Sequence, residues 1–177
     1  LNELSAILKL LGRLWLREVD LETLGAMGTE PFVTTYRDAG GFVSDDDVSD
    51  SQIENLAVEY CELLIGPKGH ISPVQSVWAD NQFQSASAAS MKKFFDLIPE
   101  YESPGSLPDH LGVQLDFAGT LVNQSETTKH EVIGHFQREH LNWSSDFLDK
   151  VESNSRSKFY RGLAVVTRGL IAELSQA

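Results

Sequence analysis

The chain has 177 residues, enough for one domain with a proper core, and its 41% hydrophobic content is ordinary for a globular protein. Lys+Arg 14 against Asp+Glu 26 gives a net charge of −12, a surface that repels nucleic acid and anionic lipid. That charge suits a basic partner and equally serves solubility.

No apolar run approaches the ~20 residues of a membrane span. Leu1 to Trp15 is interrupted by Glu3, Lys9 and Arg13 with no cleavage site after it, so no signal peptide is expected. Cys61 is the only cysteine, which excludes an intrachain disulfide and favours a reducing compartment.

Helical periodicity runs through the chain. Leu4, Ile7, Leu8, Leu11, Leu14 and Trp15 share one face, and Lys9, Arg13 and Arg17 the other. Asp20 is a good N-cap for a short helix that stops near Gly28, and Pro31 opens another. Gly40-Gly41 and Ser44-Asp45-Asp46-Asp47 read as an exposed acidic loop.

Ser51-Gln52-Ile53-Glu54 has a capping-box pattern and begins a helix that Gly66-Pro67 stops. Its stripe of Ile53, Leu56, Ala57, Tyr60, Leu63 and Leu64 is widened by Val58, Cys61 and Ile65, which predicts a helix central to the core with Cys61 buried and inert. Gln52, Asn55, Glu59 and Glu62 form its polar side. Residues 66 to 84 carry two prolines and no periodicity and read as a loop. Helices are predicted at about 85–98, 107–124, 126–139, 143–153 and 156–175, with a second loop over 99–107. The fold class is all-α, a single domain spanning 1–177. The second loop offers a hinge for a domain-swapped dimer as the alternative to a monomer.

Ser106-Leu107-Pro108-Asp109 fits a helix start, with Pro108 in the first turn and Asp109 complementing the positive helix end by about 0.3–1 kcal/mol. That reading leaves His110 unexplained. Asp109 and Asp116 share a face with Gly112 and Gly119, a strip that suits either the approach of another backbone or a close helix–helix contact. In the loop, Pro73, Ser76 and Trp78 form a candidate binding edge. Tyr60, Leu63, Leu64 and Pro67 follow helical spacing, and core is the plain reading of the two leucines.

No metal site is predicted, since His130 and His135 are five apart and do not share a helical face. Nucleophile-elbow, phosphate-loop and dinucleotide motifs are absent, so neither a cofactor nor a catalytic residue is assigned.

Four segments together resemble the TorD/DmsD/NarJ family of cytoplasmic chaperones that help assemble molybdenum-cofactor oxidoreductases. They are Tyr60-Cys61-Glu62-Leu63-Leu64-Ile65-Gly66-Pro67 followed by Ser72-Pro73 and Ser76-Val77-Trp78, then Leu107-Pro108-Asp109-His110, then Phe136 to Trp143 with Phe147-Leu148, and Phe159-Tyr160-Arg161-Gly162-Leu163. Leu64 stands where the family usually has Phe, and the third segment is one residue shorter than the family's. The resemblance implies a TorD-like helical chaperone, not an enzyme. It would bind the N-terminal twin-arginine-type leader of an oxidoreductase catalytic subunit and assist cofactor insertion and export proofreading. The peptide-binding residues it implies are Tyr60, Leu64, Pro73, Ser76, Trp78, Pro108, Asp109, His110 and Asp116, with arginines meeting the two aspartates. A hydrolase-like enzyme using Asp109 and His110 is the alternative in another class, though adjacent helical residues point about 100° apart. An interaction module unrelated to redox enzymes is the third.

Overall fold

Capping residues divide the chain into ten α-helices among the described residues, which in this computed structural model are 3–41, 49–124 and 126–174, with the side chains of 126–130 set aside. In order they are α1 (Glu3–Leu16), α2 (Leu21–Met27), α3 (Phe32–Asp38), α4 (Asp50–Tyr60), α5 (Gln75–Ala79), α6 (Ala86–Phe95), α7 (Leu111–Leu121), α8 (Glu126–His140), α9 (Ser144–Asn154) and α10 (Lys158–Leu174). A π-helical turn, Cys61–Ile65, continues α4. The described residues contain no strand, only an isolated antiparallel bridge between Val74 and His110, and the fold is all-α as the periodicity predicts.

Several sequence signals act where they stand. Asp20 accepts from Thr23 N at 2.8 Å and starts α2, which Gly28 ends. Others shift. The box that starts α4 uses Ser49, whose N–H donates to Gln52 Oε1 at 2.9 Å, two residues before the predicted Ser51. The segment read as a loop over 66–84 contains α5, too short to show periodicity. The acidic stretch Ser44–Asp47 lies outside the described residues.

Where one core is expected, the chain divides into two compact units. The first comprises Leu1–Leu16, Pro73–Ser144 and Leu170–Ala177, the second Arg17–Ser72 and Ser145–Gly169, each over its described residues. Periodicity gives the apolar face of each helix but not which partner covers it.

In the first unit α1 lies against α7. Leu8, Leu11, Trp15, Leu111, Leu115 and Phe117 are fully buried there. The two backbones nearly touch: a Cβ on Gly112 would stand 2.6 Å from Gly12 O and 2.5 Å from Leu16 Cγ, and one on Gly119 2.9 Å from Ser5 O. Ser5 Oγ donates to Gly119 O at 2.6 Å and seals the crossing. The glycine strip beside Asp116 is therefore a helix–helix contact, the second of the two readings its composition allowed. Gly112→Ala is expected to cost about 1–3 kcal/mol, because the clash is with backbone that cannot rotate away. Gly25→Ala, with no atom within 4 Å of the new Cβ, should instead be neutral or stabilising when both variants are unfolded by urea titration.

Behind α7, Phe94, Phe95, Tyr101, Phe117 and Phe136 meet edge-on or tilted, with the Tyr101 and Phe117 centroids 4.9 Å apart and those of Phe117 and Phe136 5.3 Å apart. Such ring pairs add directional preference to simple area burial.

In the second unit Tyr36 stacks on Phe32 and donates to Phe159 O at 2.8 Å, and Tyr160 donates to Leu56 O at 3.1 Å. Burial pushes both phenols well above their ordinary range, so they stay protonated donors. Phe159, Leu163 and Val166 of α10 are buried as its stripe predicts. The helix at 51–65 departs from expectation. Tyr60, Leu63 and Leu64 are buried, but Val58 is 54% and Ile65 61% exposed, so this helix shows one apolar face to the unit and another to solvent. Cys61 is half-buried, not buried; its thiol donates to Glu18 Oε1 at 3.2 Å, and that bond, with some desolvation, raises its pKa. The thiolate is suppressed by a carboxylate neighbour, not by the core.

Candidate functional site

The turn Leu107–His110 does not begin α7 as its sequence suggests. His110 is the N-cap, and its ring Nδ1 accepts from Gly112 N at 3.0 Å. Asp109, one residue earlier, is completely buried and turned to a different helix. Its Oδ2 accepts from Ser76 N at 3.0 Å, in the first turn of α5. Gln75 N donates to Asp109 O at 2.9 Å and Leu111 N to Pro73 O at 2.8 Å. A carboxylate 33 residues away in sequence therefore caps α5 in place of any local residue. Oδ1 of Asp109 is buried with no hydrogen-bond partner. Asp109 and His110 hold separate backbone partners, which is not the coupled acid–base pair a hydrolase reading requires.

Next to this turn lies a buried polar chain that the sequence does not announce. Gln75 Nε2 donates to Glu139 O at 2.7 Å, so Gln75 Oε1 is left to accept. It receives Gln114 Nε2 at 2.6 Å and His140 Nδ1 at 2.9 Å. Trp143 Nε1 donates to Gln114 Oε1 at 3.0 Å, which fixes the orientation of that amide. These directions assign the neutral His140 proton to Nδ1; Nε2 lies 3.1 Å from Ser90 Oγ, whose hydroxyl donates to Glu139. Burial lowers the His140 pKa to about 4, against the opposing pull of Glu139 and Asp109. Burial likewise lowers His110 to about 4, with Asp109 opposing. His140 and Trp143 stood in the sequence as part of a family segment. The signal that could have marked them as a network is two glutamines and a histidine on otherwise apolar helices.

The remaining sequence-derived site residues fall as follows. Pro73 and Ser76 are buried within the Asp109-held loop. Trp78 is half-buried, its ring 6.4 Å from that of Trp143, and Pro108 and His110 are also half-buried. Asp116 accepts from Tyr101 Oη at 3.0 Å and pairs with Lys9 at 3.8 Å. Burial raises its pKa, Lys9 and Tyr101 opposing. Tyr60 and Leu64 belong to the other unit and are core there, at 3% and 4% exposure. Of the two aspartates that the resemblance offers to incoming arginines, Asp109 is buried beneath α5 and Asp116 lies beside Lys9. To solvent the loop shows apolar Val77 and Phe83, at 36% and 59% exposure, beside the polar Asp80, Asn81, Gln82 and Gln84.

No three His, Cys, Asp or Glu side chains among the described residues are arranged to hold a metal ion. No helix among them is long and apolar enough to cross a membrane.

The profile of the nitrate reductase delta subunit family matches residues 30–159. The chain belongs to that family. This is the TorD/DmsD/NarJ-type grouping that the four segments resemble, a family of redox-enzyme maturation chaperones, not catalysts. The chain is 26% identical over 186 residues to chaperone protein YcdY of Escherichia coli (strain K12), covering 98% of this chain and 95% of that one. In fold it is similar to a crystal structure described as a redox enzyme maturation protein from Archaeoglobus fulgidus, at TM-score 0.64 and 20% identity over 98% of this chain and 95% of that one.

Proposed function

We propose that this family member is a cytoplasmic maturation chaperone that binds the N-terminal, twin-arginine-type leader of a molybdenum-cofactor oxidoreductase subunit. It holds the subunit while the cofactor is inserted and before any export. The observation that carries the reading is the α5 loop: a short helix anchored from below by a buried carboxylate and carrying Val77, Trp78 and Phe83 at its outer edge. A leader's apolar stretch needs such an edge, and a rigid one costs less ordering on binding. Trp78, Pro108 and His110 make the contacts; Pro73, Ser76 and Asp109 act as positioning residues. Tyr60 and Leu64 support their own unit from within, and Asp116 takes part only where an incoming cation displaces Lys9.

Calorimetric titration with a synthetic leader tests this. Trp78→Ala should weaken binding by about tenfold or more, the scale of an aromatic hot spot. A leader whose apolar stretch is replaced by serines should not bind. Equal binding of both peptides, or of both proteins, would remove this edge from the site.

A further inference from the structure

Phe83 stands in the turn between α5 and α6 and is 59% exposed, whereas every other described phenylalanine is buried or half-buried. An exposed apolar side chain is ordinary by itself. The backbone around this one is not. Asn81 and Gln84, on either side of the ring, have φ of 51° and 56° and are the only non-glycine residues in the left-handed region among the described ones. Asparagine visits that region readily, but glutamine bears the full Cβ clash there.

The turn is nevertheless closely held. Ser76 O accepts from Asp80 N at 3.1 Å and from Gln82 N at 3.2 Å, and Ser76 Oγ accepts from Gln84 N at 3.2 Å. Asp80 Oδ2 accepts from Ser85 Oγ and, at 3.0 Å, from Ser87 Oγ. Ser76 is itself fully buried, with its N–H on Asp109. Both neighbours of Phe83 therefore lie against Ser76, the residue before Val77, and the ring is carried on a support that runs down to the buried carboxylate. A turn that only connected two helices would gain nothing from a left-handed glutamine beside an exposed ring. Strained backbone persists where its surroundings over-determine it, and it collects at sites of function.

We propose that Phe83 reads side-chain size in the leader's apolar stretch, and that Asn81 and Gln84 are positioning residues that hold it out for that contact. A ring open to solvent gains contact area with each methylene laid on it, so leucine-sized side chains are preferred to alanine. Because the turn is set before the leader arrives, little ordering is lost on binding. The proposal rests on the leader reading and names the residue that gives it selectivity.

Calorimetric titration of the full chain tests it, with synthetic leaders whose apolar stretch is leucine-rich or all alanine. Both residues are strong helix formers, so the exchange alters size more than conformation. The parent should bind the leucine leader more tightly. Phe83→Ala should cut that preference by about tenfold, the scale of an aromatic hot spot, with no change in melting temperature. Gln84→Gly removes the clash and loosens the turn. It should melt no lower than the parent, yet bind the leucine leader roughly three- to fivefold more weakly. Gln84→Asn keeps a side chain suited to the left-handed region and should bind as the parent does. A turn with a merely structural role would move stability and affinity together. If Phe83→Ala keeps the preference for leucine while Trp78→Ala weakens binding, the role of Phe83 is overturned and the leader reading stands. If Gln84→Gly binds as tightly as the parent, the positioning role is overturned. If the parent binds neither leader, the leader reading fails and this proposal fails with it.

Discussion

Asp109→Ala is expected to destabilise the protein by about 3 kcal/mol, the sum of a lost charge-assisted hydrogen bond to Ser76 N and a small buried void. For a chain of this size that is a fall of roughly 6–12 °C in melting temperature. The capping role suggested by the sequence would have cost about 1 kcal/mol or less, since Asp109 would then sit exposed in a first helical turn. The two accounts are therefore separated by size alone. Asp109→Asn keeps an acceptor for Ser76 but no charge, and should lie near the neutral-bond scale of about 1 kcal/mol. Because α5 carries Trp78, Asp109→Ala should also weaken leader binding, and its effect should track the loss of α5 order rather than the ionic strength. An Asp109→Ala protein that melts with the parent would show that the carboxylate is not what holds this loop.

Acid should unfold the first unit through its histidines. His140 is fully buried and its pKa is lowered from 6.5 to about 4. The unfolded chain thus takes up the proton first, and stability present above about pH 6.5 is lost as the pH falls towards 4. At about 1.4 kcal/mol per pKa unit, His140 alone accounts for roughly 3 kcal/mol over that window. His110 has the same sign with a smaller share, being partly exposed. Asp116, held up by its own burial, opposes them at the acid end. The Ser90–Glu139 contact limits the cost, because the Ser90 hydroxyl already donates to Glu139 and its Oγ is free to accept from a protonated Nε2. His140→Gln should flatten the dependence of melting temperature on pH between 6.5 and 4, whatever it costs at neutral pH. A slope unchanged by that substitution would assign the acid sensitivity elsewhere.

Local signals were legible in the sequence, and partnerships were not. Asp20 and Gly28 bound α2 as read, and the buried stripes of α1 and α10 are those of their spacing, because caps and helical faces depend on residues three or four apart. Asp109 was recognised as a capping residue but given to the wrong helix, since nothing local says that its carboxylate reaches Ser76. Val58 and Ile65 were read as core because an apolar residue at helical spacing looks the same whether or not a neighbour covers it. Glu59 was placed on the polar side of its helix, and its burial was not legible for the converse reason: its partners, the N–H groups of Arg156 and Ser157, lie at the start of a distant helix. The glycines at 112 and 119 show the same limit, for composition allowed a helix crossing or an open strip and only the backbone approach decides. The family, by contrast, was readable from four short segments in the right order, each of which is weak alone.

Leader-dependent capture of a client tests the chaperone reading most directly. The tagged chain is purified from its own cell, and its partners are identified by mass spectrometry, with and without deletion of the client's N-terminal leader. The account predicts a molybdenum-cofactor oxidoreductase subunit that co-purifies at stoichiometric levels and is lost when its leader is removed. Recovery of that subunit unchanged without its leader, or no such subunit under conditions where it is expressed, would contradict it.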